Sequence, residues 1–111
     1  MQYFDSFKTK KGISPLKGFT FKEAHLDNVM ITWVEMNPGS ILPEHKHDHE
    51  QISMVLEGNL ELTVGGQTKV MQKGDVAIVP SNVLHSGRVG EEFTIALDAW
   101  HPIRKDYIAK S

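Results

Sequence analysis

Cysteine is absent from the 111 residues, which excludes disulfides and thiolate metal sites and leaves any metal ion to imidazole nitrogen or oxygen ligands. Charge of one sign is lacking too: 12 Lys and Arg stand against 14 Asp and Glu. The one short cationic cluster, Lys8 to Lys11, reads as a solvated N-terminal segment rather than a nucleic-acid arm. No run of apolar residues is long enough to span a bilayer. The first residues, Met1 to Lys8, place Asp5 among aromatics with no apolar stretch, which argues against a signal peptide. The expectation is a protein with no nucleic-acid or membrane partner, consistent with a cytoplasmic location. The length suits one domain with a modest core, and no repeat, low-complexity tract or linker divides it.

What is present is β punctuation. Single glycines and prolines separate short apolar runs: Phe19 to Phe21, Val29 to Met36, Ile52 to Leu56, Leu60 to Val64, Thr68 to Met71, Val76 to Val79, Leu84 to Val89 and Phe93 to Leu97. Most are of strand length and too short for helices. Leu60-Glu-Leu-Thr-Val64 alternates cleanly and runs into Gly65-Gly66, a pair able to supply the positive φ angles of a tight hairpin. Glu57-Gly58-Asn59 reads as a second turn. After Pro102, Ile103, Tyr107 and Ile108 fall at helical spacing and predict a short helix over Arg104 to Lys110. The sum is an all-β chain closed into a barrel or sandwich: an N-terminal arm over about 1–18, strands over about 19–100 and a C-terminal segment over about 101–111. Met30, Met36, Met54, Met71 and Trp33 read as core, and His25 as a surface residue.

Six histidines are the informative excess, three of them between His45 and His49. On an extended backbone His45 and His47 project from one face and can converge on one ion. Taken alone, the stretch reads more readily as a solvated polar loop, and the pair by itself is weak evidence for a metal. The wider spacing narrows this. Gly39, His45, His47, Gln51 and Gly58 reproduce GxxxxxHxHxxxExxxxxxG at every interval, with Gln for Glu. Gly74, Pro80, Asn82, His85 and Val89 follow GxxxxxPxGxxHxxxN, with Asn82 in place of glycine and Val89 in place of asparagine.

With these two motifs the chain resembles the cupin superfamily. The resemblance implies an antiparallel jelly-roll barrel holding one divalent transition metal (Mn, Ni, Zn, Fe or Co) through His45, His47, Gln51 and His85. A neutral Gln leaves such an ion more positive than Glu would. His49 or Glu50 in place of Gln51 stays open at this point, as do both as exposed loop residues. The ending Asp98-Ala-Trp-His-Pro-Ile-Arg104-Lys-Asp-Tyr107 resembles the D-x-aromatic-S-P-x-R-x-D-Y close of small cupins related to the pectin-degradation protein that ketonises unsaturated uronates. That likeness implies pocket roles for Asp98, Trp100 and Arg104, with Trp100 where Phe is common and His101 where Ser is common.

The residues themselves support a similar reading. Thr94, Ala96, Asp98 and Trp100 share one strand face, and Phe93, Ile95, Leu97 and Ala99 the greasier other. Asp98 is placed to move a proton as a catalytic residue. Arg104 offers a planar fork for a substrate carboxylate, beside Trp100 as a substrate-binding wall. The bland alternative is that Asp98 and Arg104 pair to tie the terminal helix down. Three functions compete: a metal-dependent enzyme acting on a small carboxylated sugar, such as a 4,5-unsaturated uronate; an Fe(II) dioxygenase; and a sugar-binding sensor without turnover, which would need a separate partner because no helix-turn-helix is present. Apolar residues on both faces of Val29 to Met36 and Ile52 to Leu56 predict a homodimer.

Overall fold

In the computed structural model, which describes residues 2–109, ten antiparallel strands form two sheets. The strands are β1 (Ile13–Leu16), β2 (Phe19–His25), β3 (Met30–Met36), β4 (Ile41–His45), β5 (Glu50–Glu57), β6 (Asn59–Val64), β7 (Gln67–Gln72), β8 (Val76–Val79), β9 (His85–Val89) and β10 (Thr94–His101). One sheet runs β1-β2-β3-β10-β5-β8 and the other β4-β9-β6-β7, the jelly-roll expected from the motifs. Alternation explains the inner faces: Met30, Thr32, Val34 and Met36 of β3 are buried, while Ile31, Trp33 and Glu35 between them face outward. The hairpin of β6 and β7 turns on Gly65 and Gly66 with φ of 55° and 82°, values that a side chain would strain.

Two strands were not legible as apolar runs. β1 carries Pro15 and β4 carries Pro43, and both lie at sheet edges, where a missing N–H costs no ladder bond. Residues 13–16 of the expected arm therefore belong to the sheet. β10 runs on to His101, beyond its apolar stretch, because it is paired on both sides, by β3 and β5.

The expected helix over Arg104 to Lys110 is replaced by a 3-10 turn at Lys105–Tyr107, with Ile108 already extended; Lys110 lies outside the described residues. Tertiary contact overrides the helical spacing. Tyr107 stacks on Phe21 of β2 at 4.6 Å between ring centroids, and Arg104 binds Asp106 two residues away, a separation that a helix does not bring face to face. Trp33 is also not core: half-buried on the outer face, it stacks on Phe7 at 5.7 Å and donates to Glu35. Met30, Met36 and Met71 are buried, whereas Met54 faces outward and is half-buried.

The core fills one end of the barrel, with Phe19, Val34, Val55, Leu60, Val89 and Ala96 in one cluster. Toward the other end the inner faces turn polar: β10 passes from Ala96 to Asp98, and β5 runs back from Val55 to Ser53 and Gln51. Register aligns the changes, pairing Asp98 with Ser53 and Trp100 with Gln51. Among the described residues no helix is long and apolar enough to cross a membrane.

Candidate metal centre

His45 closes β4 and His85 opens β9 directly opposite, so the two rings lie 4.1 Å apart. His47, in the connection to β5, brings its ring to 4.8 Å from His85 and 5.6 Å from His45. Each imidazole is held from behind by a backbone carbonyl. Nδ1 of His45 lies 2.8 Å from Pro43 O, that of His47 3.0 Å from His49 O and that of His85 2.9 Å from Val83 O. A carbonyl oxygen only accepts, so each Nδ1 carries a proton, and a ring in its neutral form then keeps its Nε2 lone pair. One ring nitrogen from each of the three lies within 4.8 Å of the others, the only such group of three among the described residues. His85 Nε2 is buried and without a hydrogen-bond partner. Burial holds the His47 and His85 pKa values below the ordinary histidine value, which keeps the rings in the form that can bind a metal. Three converging lone pairs, one of them orphaned, fit a divalent transition metal.

The inward face of β5 adds Gln51, whose Oε1 lies 3.2 Å from His47 Nε2. Glu50 points outward and is exposed, and His49 stands edge-on to Trp100 at 6.2 Å, outside the three-histidine group. Gln51 Nε2 donates to Ser53 Oγ at 3.0 Å, and Ser53 donates to Asp98 Oδ1 at 2.5 Å. Asp98 is 7% exposed, and burial pushes its pKa up to about 6 against the lowering pull of Ser53, Gln51 and Arg104. Sequence reasoning missed Ser53, because nothing local marks it as facing a carboxylate 45 residues away.

Trp100 walls this end: it is 5% exposed, its Nε1 donates to Thr32 Oγ1 at 3.0 Å, and its ring lies 5.2 Å from that of His47. The Arg104 guanidinium sits over Trp100 at 4.7 Å and over Tyr107 at 4.2 Å. Its ion-pair partner is Asp106 rather than Asp98, so the anticipated tie between Asp98 and Arg104 is not the one formed. The mixed face of β10 is thus the inner face, and the greasier one is turned outward.

The family model for the cupin domain matches residues 32–98, which hold both motif histidine sets and Asp98. This chain belongs to the cupin family. Among curated proteins, the cupin is 31% identical over 83 residues to the pectin degradation protein KdgF of Dickeya dadantii, covering 74% of this chain and 76% of that one. Among solved structures it is similar to KdgF from a Halomonas species, with a TM-score of 0.90 at 24% identity over 97% of this chain and all of that one. An RmlC-like cupin from Shewanella frigidimarina gives a TM-score of 0.89 at 25% identity, over 97% of both chains.

Proposed function

We propose that this cupin is a metal-dependent enzyme that converts a 4,5-unsaturated uronate monomer to its open keto form. The observation that carries the reading is the meeting, at one polar end of the barrel, of three histidine lone pairs, a buried carboxyl near neutrality and a stacked guanidinium. The likeness to a pectin degradation protein supports the sugar-acid class of substrate.

His45, His47 and His85, with Gln51 Oε1 as fourth donor, would hold the ion, which when bound supplies Lewis acidity toward a substrate oxygen. The reaction is an isomerisation. The anomeric hydroxyl loses its proton, the C1–O5 bond breaks to leave an aldehyde and an enol at C5, and C4 takes a proton as C5 becomes the ketone. No electrons enter or leave. A carboxyl whose pKa is about 6 both accepts and returns a proton near pH 7, and Asp98 is assigned that transfer. Arg104 takes the substrate carboxylate, and Trp100 excludes water from its inner side.

Metal-loaded protein should speed the loss of ultraviolet absorbance from the conjugated C4=C5 bond, without oxygen uptake. Asp98→Ala should slow this by about a hundredfold or more. No acceleration by the wild type would end the reading; an unchanged rate in Asp98→Ala would remove that residue from its role.

We further propose that the active form is a homodimer joined through the outer face of the six-stranded sheet. There Ile52 and Ile78 are cross-strand partners at 50% and 70% exposure, beside outward-facing Ile31 and Val76.

A further inference from the structure

We propose that Ser53 sets the orientation of the Gln51 amide and so aims its carbonyl oxygen, rather than its NH2, at the histidine cluster. The inference rests on the metal centre proposed above. The two ends of a glutamine amide are nearly equal in shape and opposite in hydrogen-bonding sense, so only the neighbours decide which way it faces.

Ser53 is buried and has one hydroxyl proton. That proton goes to Asp98 Oδ1, because a carboxylate only accepts. What the hydroxyl has left are lone pairs, so its other neighbour, 3.0 Å away, must be a donor: Gln51 Nε2. The carbonyl end is thereby turned toward His47, with Oε1 3.2 Å from Nε2. His47 has already given its Nδ1 proton to His49 O, so Oε1 and Nε2 face each other as two acceptors. Left to itself the amide would turn over and donate to that nitrogen, taking up the lone pair a metal needs. The sequence Asp98, Ser53, Gln51 prevents this. It can do so because Ser53 lies opposite Asp98 across β5 and β10, and two residues along the same face of β5 from Gln51.

Ser53 is therefore a positioning residue, and a symmetric ligand in place of Gln51 would make it dispensable. In titrations of metal-stripped protein with Co(II), followed by calorimetry and visible absorption, Ser53→Ala should weaken binding about tenfold, the scale usual for residues behind a metal ligand. In a Gln51→Glu background, where both oxygens are alike, the same change should matter less than about twofold. An equal loss in both backgrounds would show Ser53 to be packing only and overturn the proposal. Nuclear magnetic resonance of the metal-free protein reads the orientation directly. The Gln51 side-chain NH2 should show contacts to the Ser53 β protons in the wild type, and to the His47 ring in Ser53→Ala. Contacts from that NH2 to His47 in the wild type would overturn the proposal even if Co(II) binds. Failure of the wild type to take up Co(II) would instead sink the metal centre, with the amide orientation still decided by resonance.

Discussion

Arg104 gives the Nε and Nη2 edge of its guanidinium to Asp106, at 3.0 and 2.8 Å, while its Nη1 is buried without a partner. An unpaired buried N–H costs about 1–3 kcal/mol. A substrate carboxylate arriving at the opposite, end-on edge would relieve it. Arg104→Lys keeps the charge but loses the planar edge and the stacking on Trp100 and Tyr107. The expected outcome is a KM for the uronate raised about tenfold to a hundredfold, with kcat much less affected, in steady-state assays. A fall confined to kcat would place Arg104 elsewhere in the mechanism.

Asp98 carries a pH signature in the chelator-treated protein. Its pKa rises from 3.8 unfolded to about 6 folded, so between those values the folded state holds the proton more tightly. Its contribution to stability is full below pH 3.8 and is lost as pH rises to about 6, a difference of about 3 kcal/mol. Relative to Asp98→Asn, the wild type should therefore lose stability across that window and run parallel above it. Denaturant unfolding at a series of pH values checks this, and a constant difference from pH 4 to 7 would show that burial does not shift the group.

The histidine cluster predicts a metal content. Replacing both His45 and His85 by alanine removes two of the three converging nitrogens. Elemental analysis of the purified variant should find less than about a tenth of the wild-type metal, since few ligands would remain. A folded variant with full metal content would mean that the ion binds elsewhere.

Two motif glycines should respond differently to alanine. A Cβ on Gly58 (φ +78°) would lie 2.7 Å from Phe93 O and 2.8 Å from Thr94 Cα, backbone atoms that cannot yield. Gly39 (φ +73°) has nothing within 4 Å. Gly39→Ala should cost about 1–2 kcal/mol, the strain of a left-handed residue, and Gly58→Ala more than about 3 kcal/mol. Equal costs by chemical denaturation would contradict the close approach at Gly58.

For the proposed dimer, Ile52→Lys with Ile78→Lys puts two charges on the outer face, at a cross-strand pair on the side of the sheet opposite Ser53. Sedimentation equilibrium should find the wild type dimeric and the variant monomeric. A monomeric wild type would remove this interface.

Local pattern accounted for much of the fold. Short alternating runs such as Leu60 to Val64 announced themselves, and the motif spacing of His45 and His47 anticipated rings that come together, although His47 lies past the end of β4. Pattern failed where a distant partner outweighed it: at Pro43 inside β4, at Tyr107 drawn onto Phe21 instead of continuing a helix, and at Trp33, whose neighbour is Phe7.

By itself the sequence determined the β character, the absence of thiol chemistry and the imidazoles available for a metal, because composition and near-neighbour spacing are properties of the chain wherever it folds. The two motifs, through the cupin resemblance, already anticipated that His85 meets His45; only the tertiary structure decided that Ser53 meets Asp98 and that Arg104 spends one edge on Asp106. Those pairings come from the register between strands far apart in the chain and from side chains competing for one enclosed space, neither of which a short window of residues contains.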